Sequence, residues 1–275
     1  MKNKFLALCL IIMGTLIFTS CGLLGSSDTD IPEISNSTLQ KITNNAYAYS
    51  DQHNIGLLDF SSEIKAIDKW LNDPDGEGFD SPVYLQGEDA ILSESTQFKR
   101  IQSGRYRYFG EMDDNYPDGM GLLLLGSDSE LSDLESSIVY IGKFKNGYFS
   151  EFGMSFGRYY VGSDAVMGLV YEGEFSKGLK DGNGNYYNGE NVYCGSFKSA
   201  DMDGSGKLYS DGFLFYDGEW NKGKREGEGT AYYPKSGQIK YEGDWKNDEY
   251  HGSGTLYDTN GDIIYEGKWA NGEYK

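Results

Sequence analysis

The chain has 275 residues, with 38 glycines and 23 tyrosines but only 5 prolines, and its formal net charge is −19. This composition excludes a collagen-like chain and indicates many short strands joined by tight turns. The negative charge argues against nucleic acid as a partner, because the phosphate backbone would be repelled. The acids then either keep the protein soluble or attract a basic partner.

The first 21 residues have the organisation of an export signal. A basic start precedes an apolar run of 14 residues from Phe5 to Phe18, which is too short to span a bilayer. Two small residues separate this run from Cys21. The segment resembles a bacterial lipoprotein signal peptide, although Phe18 stands where that family usually has Leu, Val or Ile. The alternative is an ordinary secretory signal with an incidental cysteine.

The resemblance implies a lipoprotein anchored in the membrane of a bacterial cell envelope, on its extracytoplasmic side. The signal peptide would then be residues 1–21, with the lipid attached to Cys21. Two or three acyl chains anchor stably, because each buried CH₂ contributes about 0.8 kcal/mol. Residues 22–38, rich in small and polar side chains, predict a flexible tether.

Residues 39–104 do not repeat and predict a partly helical capping segment. Ile64, Ile67 and Trp70 recur at helical spacing after Ser61, which suits an N-terminal cap. An earlier helix is predicted around residues 39–50. We expect the segment to cover the first edge of the sheet that follows, because an exposed strand edge invites pairing. A small independent module is the alternative.

An acidic stretch after the second predicted helix resembles the start of an EF-hand calcium loop. Asp73, Asp75 and Glu77 have the alternating spacing of its first ligands. The twelfth position would be Tyr84, where that loop requires a bidentate glutamate. We therefore predict an acidic surface loop and no metal site, and we predict no cofactor for the chain.

Residues 105–275 repeat the unit Tyr-x-Gly-x-aromatic-x-x-Gly-x-x-x-Gly-x-Gly. Units in this register begin at Tyr108, Tyr140, Tyr171, Tyr193, Tyr216, Tyr241 and Tyr265. Those at Tyr171 and Tyr216 match fully, and the last one stops after its first strand. The motif is similar to the MORN repeat. That resemblance implies a stack of β-hairpins used for binding and assembly, with no shared catalytic residue.

The residues of the unit predict the same fold independently. Tyr, Gly and the aromatic alternate with period two and therefore share one face of a strand, where the glycines leave room for the rings. Pairs such as Asn188-Gly189 and Asp211-Gly212 favour the positive-φ turns of hairpins. The predicted fold is mainly β, an elongated antiparallel meander of stacked hairpins with a small, partly helical N-terminal segment.

Few residues have the chemistry of catalysis. The two histidines, His53 and His251, are far apart in the chain, and Cys194 has no histidine near it in sequence. We therefore predict a protein without enzymatic activity; an enzyme with its site in the N-terminal segment is an alternative. Cys194 would be either a thiol that forms mixed disulfides or a partly covered, unreactive residue.

The face opposite the rings is predicted to carry acids and tyrosines. The acids occupy the x positions of the first strands and are Glu172, Glu174, Asp217, Glu219, Glu242 and Asp244. The tyrosines share a register on the second strands and are Tyr187, Tyr209, Tyr232 and Tyr257. This surface is the predicted binding site for a protein partner with a basic segment. A cell-wall glycan is the alternative ligand, and a solvated face without a ligand is the simplest interpretation.

Overall fold

The computed structural model describes residues 36–71, 83–87, 97–100, 106–125, 138–161 and 164–275. Within these ranges the chain forms two helices and one antiparallel sheet, which confirms the predicted mainly β meander. Cys21, most of the predicted tether and the acidic loop with Asp73, Asp75 and Glu77 lie outside the described residues.

Helix α1 spans Asn36–His53 and helix α2 spans Ser61–Leu71. The strands are β1 (Val83–Gly87), β2 (Phe98–Arg100), β3 (Tyr106–Asp113), β4 (Tyr116–Leu125), β5 (Ile138–Lys145), β6 (Tyr148–Val161), β7 (Asp164–Ser176), β8 (Leu179–Asn188), β9 (Asn191–Lys198), β10 (Asp201–Ser210), β11 (Phe213–Asn221), β12 (Lys224–Tyr232), β13 (Ile239–Lys246), β14 (Glu249–Tyr257), β15 (Ile263–Ala270) and β16 (Glu273–Tyr274). Strands β3 to β16 pair in chain order, while β1 pairs with both β3 and β2. The final residues of the predicted tether are helical, since α1 begins at Asn36.

A row of glycines crosses the meander from β3 to β15. At every step one glycine lies opposite another, from Gly110 and Gly121 to Gly254 and Gly267. The tyrosine of each unit lies over this row, so that a β-carbon at Gly229 would stand 2.5 Å from Cζ of Tyr216. The glycines of the motif therefore admit the rings, as the sequence predicts.

The rings form one core along this side of the sheet, here called the ring face. Tyr193 meets Phe197 of its own unit and Trp220 of the next edge to face, with ring centroids 5.1 and 5.4 Å apart. Its hydroxyl donates to the carbonyl of Ser196 at 3.0 Å, and the Trp220 indole donates to the carbonyl of Gly206 at 3.1 Å. The polar atoms of these buried rings are thus satisfied within the repeat array.

A second apolar core lies on the opposite side of the sheet, here called the outer face. Ala46 of α1, Ile67 of α2 and Ile55 between them are buried against side chains of β3 to β10. The helices therefore cover a face of the sheet, while the edge of β3 is paired by β1. The segment of residues 39–104 thus meets the edge of β3 through β1, and its helices lie on a face because their apolar stripes need an apolar surface.

The turns follow the predicted chemistry with a shift in detail. Asp211 and Gly212 have φ of 50° and 75°, the left-handed pair that a two-residue hairpin turn needs. Asn188 ends β8, and the turn is formed instead by Gly189 and Glu190. The predicted turns at Ser236-Gly237 and Asn260-Gly261 lie within longer loops between their strands.

Candidate functional site

One row of side chains, here called the outer row, runs along the outer face through thirteen paired strands. Its members in order are Phe109, Leu122, Ile141, Met154, Glu172, Asn185, Cys194, Lys207, Asp217, Thr230, Glu242, Thr255 and Glu266. The row is apolar from β3 to β6 and then polar and buried on β7 and β8. From β11 onward an acid alternates with a threonine. The chemistry of the outer face therefore changes along the array although the backbone repeats.

A second row of the outer face joins each predicted tyrosine to an apolar residue directly opposite on the next strand. The pairs are Tyr187 with Val192, Tyr209 with Leu214, Tyr232 with Ile239, and Tyr257 with Ile263. Tyr187, Val192 and Tyr209 are buried, whereas Ile239 is 37% and Ile263 58% exposed. We call this set the tyrosine row. It is covered at its upstream end and open from β12 onward.

Glu172 is the point at which the helical segment meets the repeats. Its side chain is buried, at 2% exposure, and its carboxylate accepts hydrogen bonds from Asn185 and Tyr187, each at 2.9 Å. The hydroxyl of Tyr47 on α1 donates to the same carboxylate. Burial raises the pKa of Glu172 above its ordinary value of 4.5, and the three hydrogen bonds oppose that rise.

The prediction of a solvent-exposed surface is wrong at three of the named residues, Glu172, Tyr187 and Tyr209. All three are buried on the outer face, because α1 and the loop that follows it lie over them. The sequence shows that these side chains point away from the rings, and the structure agrees. What the repeat pattern does not contain is the position of a non-repeating segment on that face.

The loop after α1 is fixed to the sheet by paired hydrogen bonds. The backbone N–H of Leu58 donates to the Asn185 side chain, and that side chain donates to the carbonyl of Leu58, both at 3.0 Å. The Tyr49 hydroxyl donates to the carbonyl of Glu190 at 3.1 Å. The ring of His53 lies where a β-carbon of Gly212 would stand. These contacts take the segment as far as the turn between β10 and β11.

The second acid of each predicted pair has a structural role that the sequence reasoning missed. Glu174 accepts a hydrogen bond from the backbone N–H of Asn183 at 3.0 Å. Glu219 accepts a hydrogen bond from the backbone N–H of Glu228 at 3.2 Å, and Asp244 accepts one from the backbone N–H of Ser253 at 2.8 Å. Each of these acids lies over an irregularity in the strand pairing, beside a positive-φ glycine eight residues further along the chain. That spacing is the signal in the sequence that could have revealed the role.

Three acids of the outer row remain accessible to a binding partner on the downstream half of the face. Asp217 forms an ion pair with Lys207 at 2.8 Å, Glu242 accepts a hydrogen bond from Tyr257, and Glu266 is exposed. They lie on alternate strands and are therefore about 9.6 Å apart. The predicted acidic surface thus narrows to these three residues, with the tyrosine row beside them.

The groups with potential for catalysis are separated or covered. His53 is hydrogen-bonded to the carbonyl of Tyr49 at 2.8 Å, whereas His251 lies on β14. Cys194 is buried, and its burial raises the pKa of the thiol to about 12, so it is held protonated at neutral pH. In the part of the chain that the structure describes, no cluster of three or more His, Cys, Asp or Glu side chains could hold a metal ion.

Of the two described helices, neither has the length and apolar character needed to cross a bilayer.

The family model of the MORN repeat matches residues 171–189, 193–212, 216–238 and 241–263. These are the units that begin at Tyr171, Tyr193, Tyr216 and Tyr241, and the chain therefore contains MORN repeats at four positions. They span both the covered and the open part of the outer face. No curated protein matches the chain.

Proposed function

We propose that this protein is a lipid-anchored component of the bacterial cell envelope and a non-catalytic binding or scaffolding module. Its MORN repeats would bind a protein partner through the open part of the outer face, from β11 to β15. The observation that carries the proposal is the contrast along that face. Positions that are buried by the helical segment upstream recur downstream with their apolar side chains exposed.

The open part of the outer face carries exposed apolar side chains as well as acids, and solubility does not require such apolar groups. Ile239 lies opposite Tyr232 and Ile263 lies opposite Tyr257, so each of these rings has an exposed apolar neighbour beside the acids. Exposed apolar side chains that recur in register mark a surface that another molecule covers. The acids add an attractive field that raises the association rate of a basic partner.

The lipid anchor is proposed from the sequence. The basic start, the apolar run and Cys21 together have the order of a lipoprotein signal peptide. An acylated Cys21 would hold the repeats at the extracytoplasmic side of a membrane. In this proposal the only role of the anchor is to locate the repeats at the membrane.

A cell-wall glycan is a second candidate ligand. The half-buried rings of Tyr232 and Tyr257 lie on the same strands as Thr230 and Thr255, two residues further along the chain. Aromatic faces beside hydroxyl groups suit a sugar, which offers apolar C–H surfaces and hydroxyls of its own. The charged residues of the same face favour a protein.

The test neutralises the three available acids and leaves the structural ones in place. The variant carries Asp217→Asn, Glu242→Gln and Glu266→Gln in the full chain. It should fold as the wild type does and retain solubilised envelope proteins about ten-fold less well at low salt. The difference should shrink as salt rises, since screening weakens the wild type as well.

The control removes the same charge with Asp201→Asn, Glu249→Gln and Glu273→Gln, three exposed residues that each begin a strand directly after a hairpin turn. It should retain envelope proteins as the wild type does. Equal retention by all three proteins at low salt would show that the outer-row acids serve solubility alone. Retention of purified wall polysaccharide in place of protein would favour the glycan.

A further inference from the structure

The equivalence of the repeats identifies what kind of partner fits the open outer face, and this inference rests on the proposed function. We propose that β11 to β15 dock an amphipathic helix of a partner protein. Its apolar stripe packs on Tyr232, Ile239, Tyr257 and Ile263. Lysine side chains beside that stripe donate hydrogen bonds to Asp217, Glu242 and Glu266.

The structure contains an occupied copy of this site. Glu172 and Tyr187 are fifteen residues apart, and the tyrosine hydroxyl donates to the carboxylate. Glu242 and Tyr257 have the same separation and make the same hydrogen bond. At Glu172 a helix supplies a further donor, the hydroxyl of Tyr47. A carboxylate has about four acceptor positions, so Glu242 can accept an equivalent donor from an incoming helix.

The apolar neighbours repeat in the same way. Upstream, Tyr187 and Val192 are buried at 4% and 1% exposure in the core that α1 and α2 complete. Their downstream equivalents are Tyr232 with Ile239 and Tyr257 with Ile263, which present the same pairing of ring and branched side chain. Among the described residues, the face that holds a helix in the upstream units therefore continues in the later ones with no helix over it.

Secondary structure of the occupant follows from the hydrogen bonding of the sheet. The backbone groups of β12 to β14 are already paired on both sides, so an incoming segment cannot join as a strand on this face. Its own backbone must be satisfied internally, and a helix is the element that does so. An amphipathic helix also matches the combination of an apolar strip and a charged border.

Charge and spacing narrow the occupant further. The face of a second copy would carry the same acids, and anionic head groups of a membrane would be repelled as well. The three acids lie about 9.6 Å apart on alternate strands. Helix residues seven apart lie on one side at about 10.5 Å. A helix laid across the strands therefore matches the three acids with lysines at every seventh position.

The probe is a fluorescent synthetic helix of about 21 residues, built from Ala and Leu with lysine at every seventh position beside the leucine stripe. The matched peptide carries glutamate at the lysine positions. Binding to the full chain is measured by fluorescence anisotropy. The lysine peptide should bind at least about ten-fold more tightly than the glutamate peptide. The triple variant at Asp217, Glu242 and Glu266 should lose about ten-fold of that affinity.

Two further variants separate the site from general charge attraction. The turn variant at Asp201, Glu249 and Glu273 has the same net charge as the triple variant and should lose less than about two-fold. Replacement of Ile239 and Ile263 by serine should weaken the lysine peptide to a similar extent at all salt concentrations, because it removes apolar contact alone. Circular dichroism and the unfolding midpoint of each variant check that the repeats stay folded.

Equal affinity for the two peptides overturns the proposal, as does an equal loss in the turn variant. If retention of envelope proteins still depends on the outer-row acids but the lysine peptide does not bind, the proposed function stands and the helix is rejected as the occupant. Competition by purified wall glycan, without lysine-peptide binding, would likewise reject it. If the outer-row acids affect neither the retention of envelope proteins nor the binding of the lysine peptide, the proposed function is rejected as well.

Discussion

Tyr216 shows how one residue of the unit is held by its neighbours. Its hydroxyl donates to the carbonyl of Glu219 at 3.1 Å, and its ring packs edge to face on Trp220 and Trp245. The ring also lies over Gly229 of the next strand. A side chain at that glycine would have to displace a ring that is fixed on all sides.

Gly229→Ala should therefore lower the free energy of unfolding by at least about 3 kcal/mol, through overpacking against the Tyr216 ring. Gly223→Ala is the matched control, because Gly223 has a φ of 77° but nothing within 4 Å of an added β-carbon. It should lose only the backbone cost of about 1–2 kcal/mol. Urea unfolding measures both, and equal losses would contradict the packing role of the glycine row.

The acids show where inference from single residues ends. Alternation along a strand places Glu172, Glu219 and Glu242 on the same side of the sheet, and the structure agrees. Their roles differ because each depends on a neighbour from elsewhere in the chain. Glu172 meets Tyr47 of α1, Glu219 meets the backbone of β12, and Glu242 keeps an open side. Period-two counting contains no information about such neighbours.

At the scale of elements, the contact between α1 and β7 depends on a carboxyl group that is buried among hydroxyls and an amide. The raised pKa of Glu172 means that the folded state holds its proton more tightly than the unfolded chain does. The stability from this group is therefore fully present below pH 4.5, the ordinary value, and is lost as pH rises through the folded pKa.

Glu172→Gln should remove that pH dependence, because an amide does not ionise. Relative to the wild type, the variant should become progressively more stable as pH rises from 4.5 toward neutrality. Urea midpoints across the pH series give the difference. Parallel curves for the wild type and Glu172→Gln would show that the carboxyl does not titrate within this contact.

The helices themselves could be predicted, but their docking could not. Ile64, Ile67 and Trp70 recur at helical spacing, and α2 forms where that spacing predicts it. The apolar stripe says that the helix packs on something, without saying on what. It packs in the apolar core of the outer face, which forms only when the strands are in register.

At the scale of the whole molecule, the proposed lipid anchor would decide where the outer face operates. Cys21→Ala should abolish lipid attachment and leave either an unprocessed precursor or a soluble form, because one residue carries all the acyl chains. Membrane fractionation with metabolic labelling by a fatty acid measures the change. Ser20→Ala keeps the cysteine and a small residue before it, and it should remain labelled. A mature-sized variant that still fractionates with the membrane would contradict the anchor.

The glycine row has a consequence for how such a chain can change its length. Because each unit contacts its neighbours through the same set of positions, duplication or deletion of one whole unit preserves the contacts on both sides of it. Upstream of the turn between β10 and β11 this freedom is lost, since α1 and the loop after it must still meet Glu172, Asn185 and Gly212 together. The covered units are therefore fixed in number by their helix. The open units are the ones that evolution can add or remove, and a longer docking surface would follow from gene duplication alone.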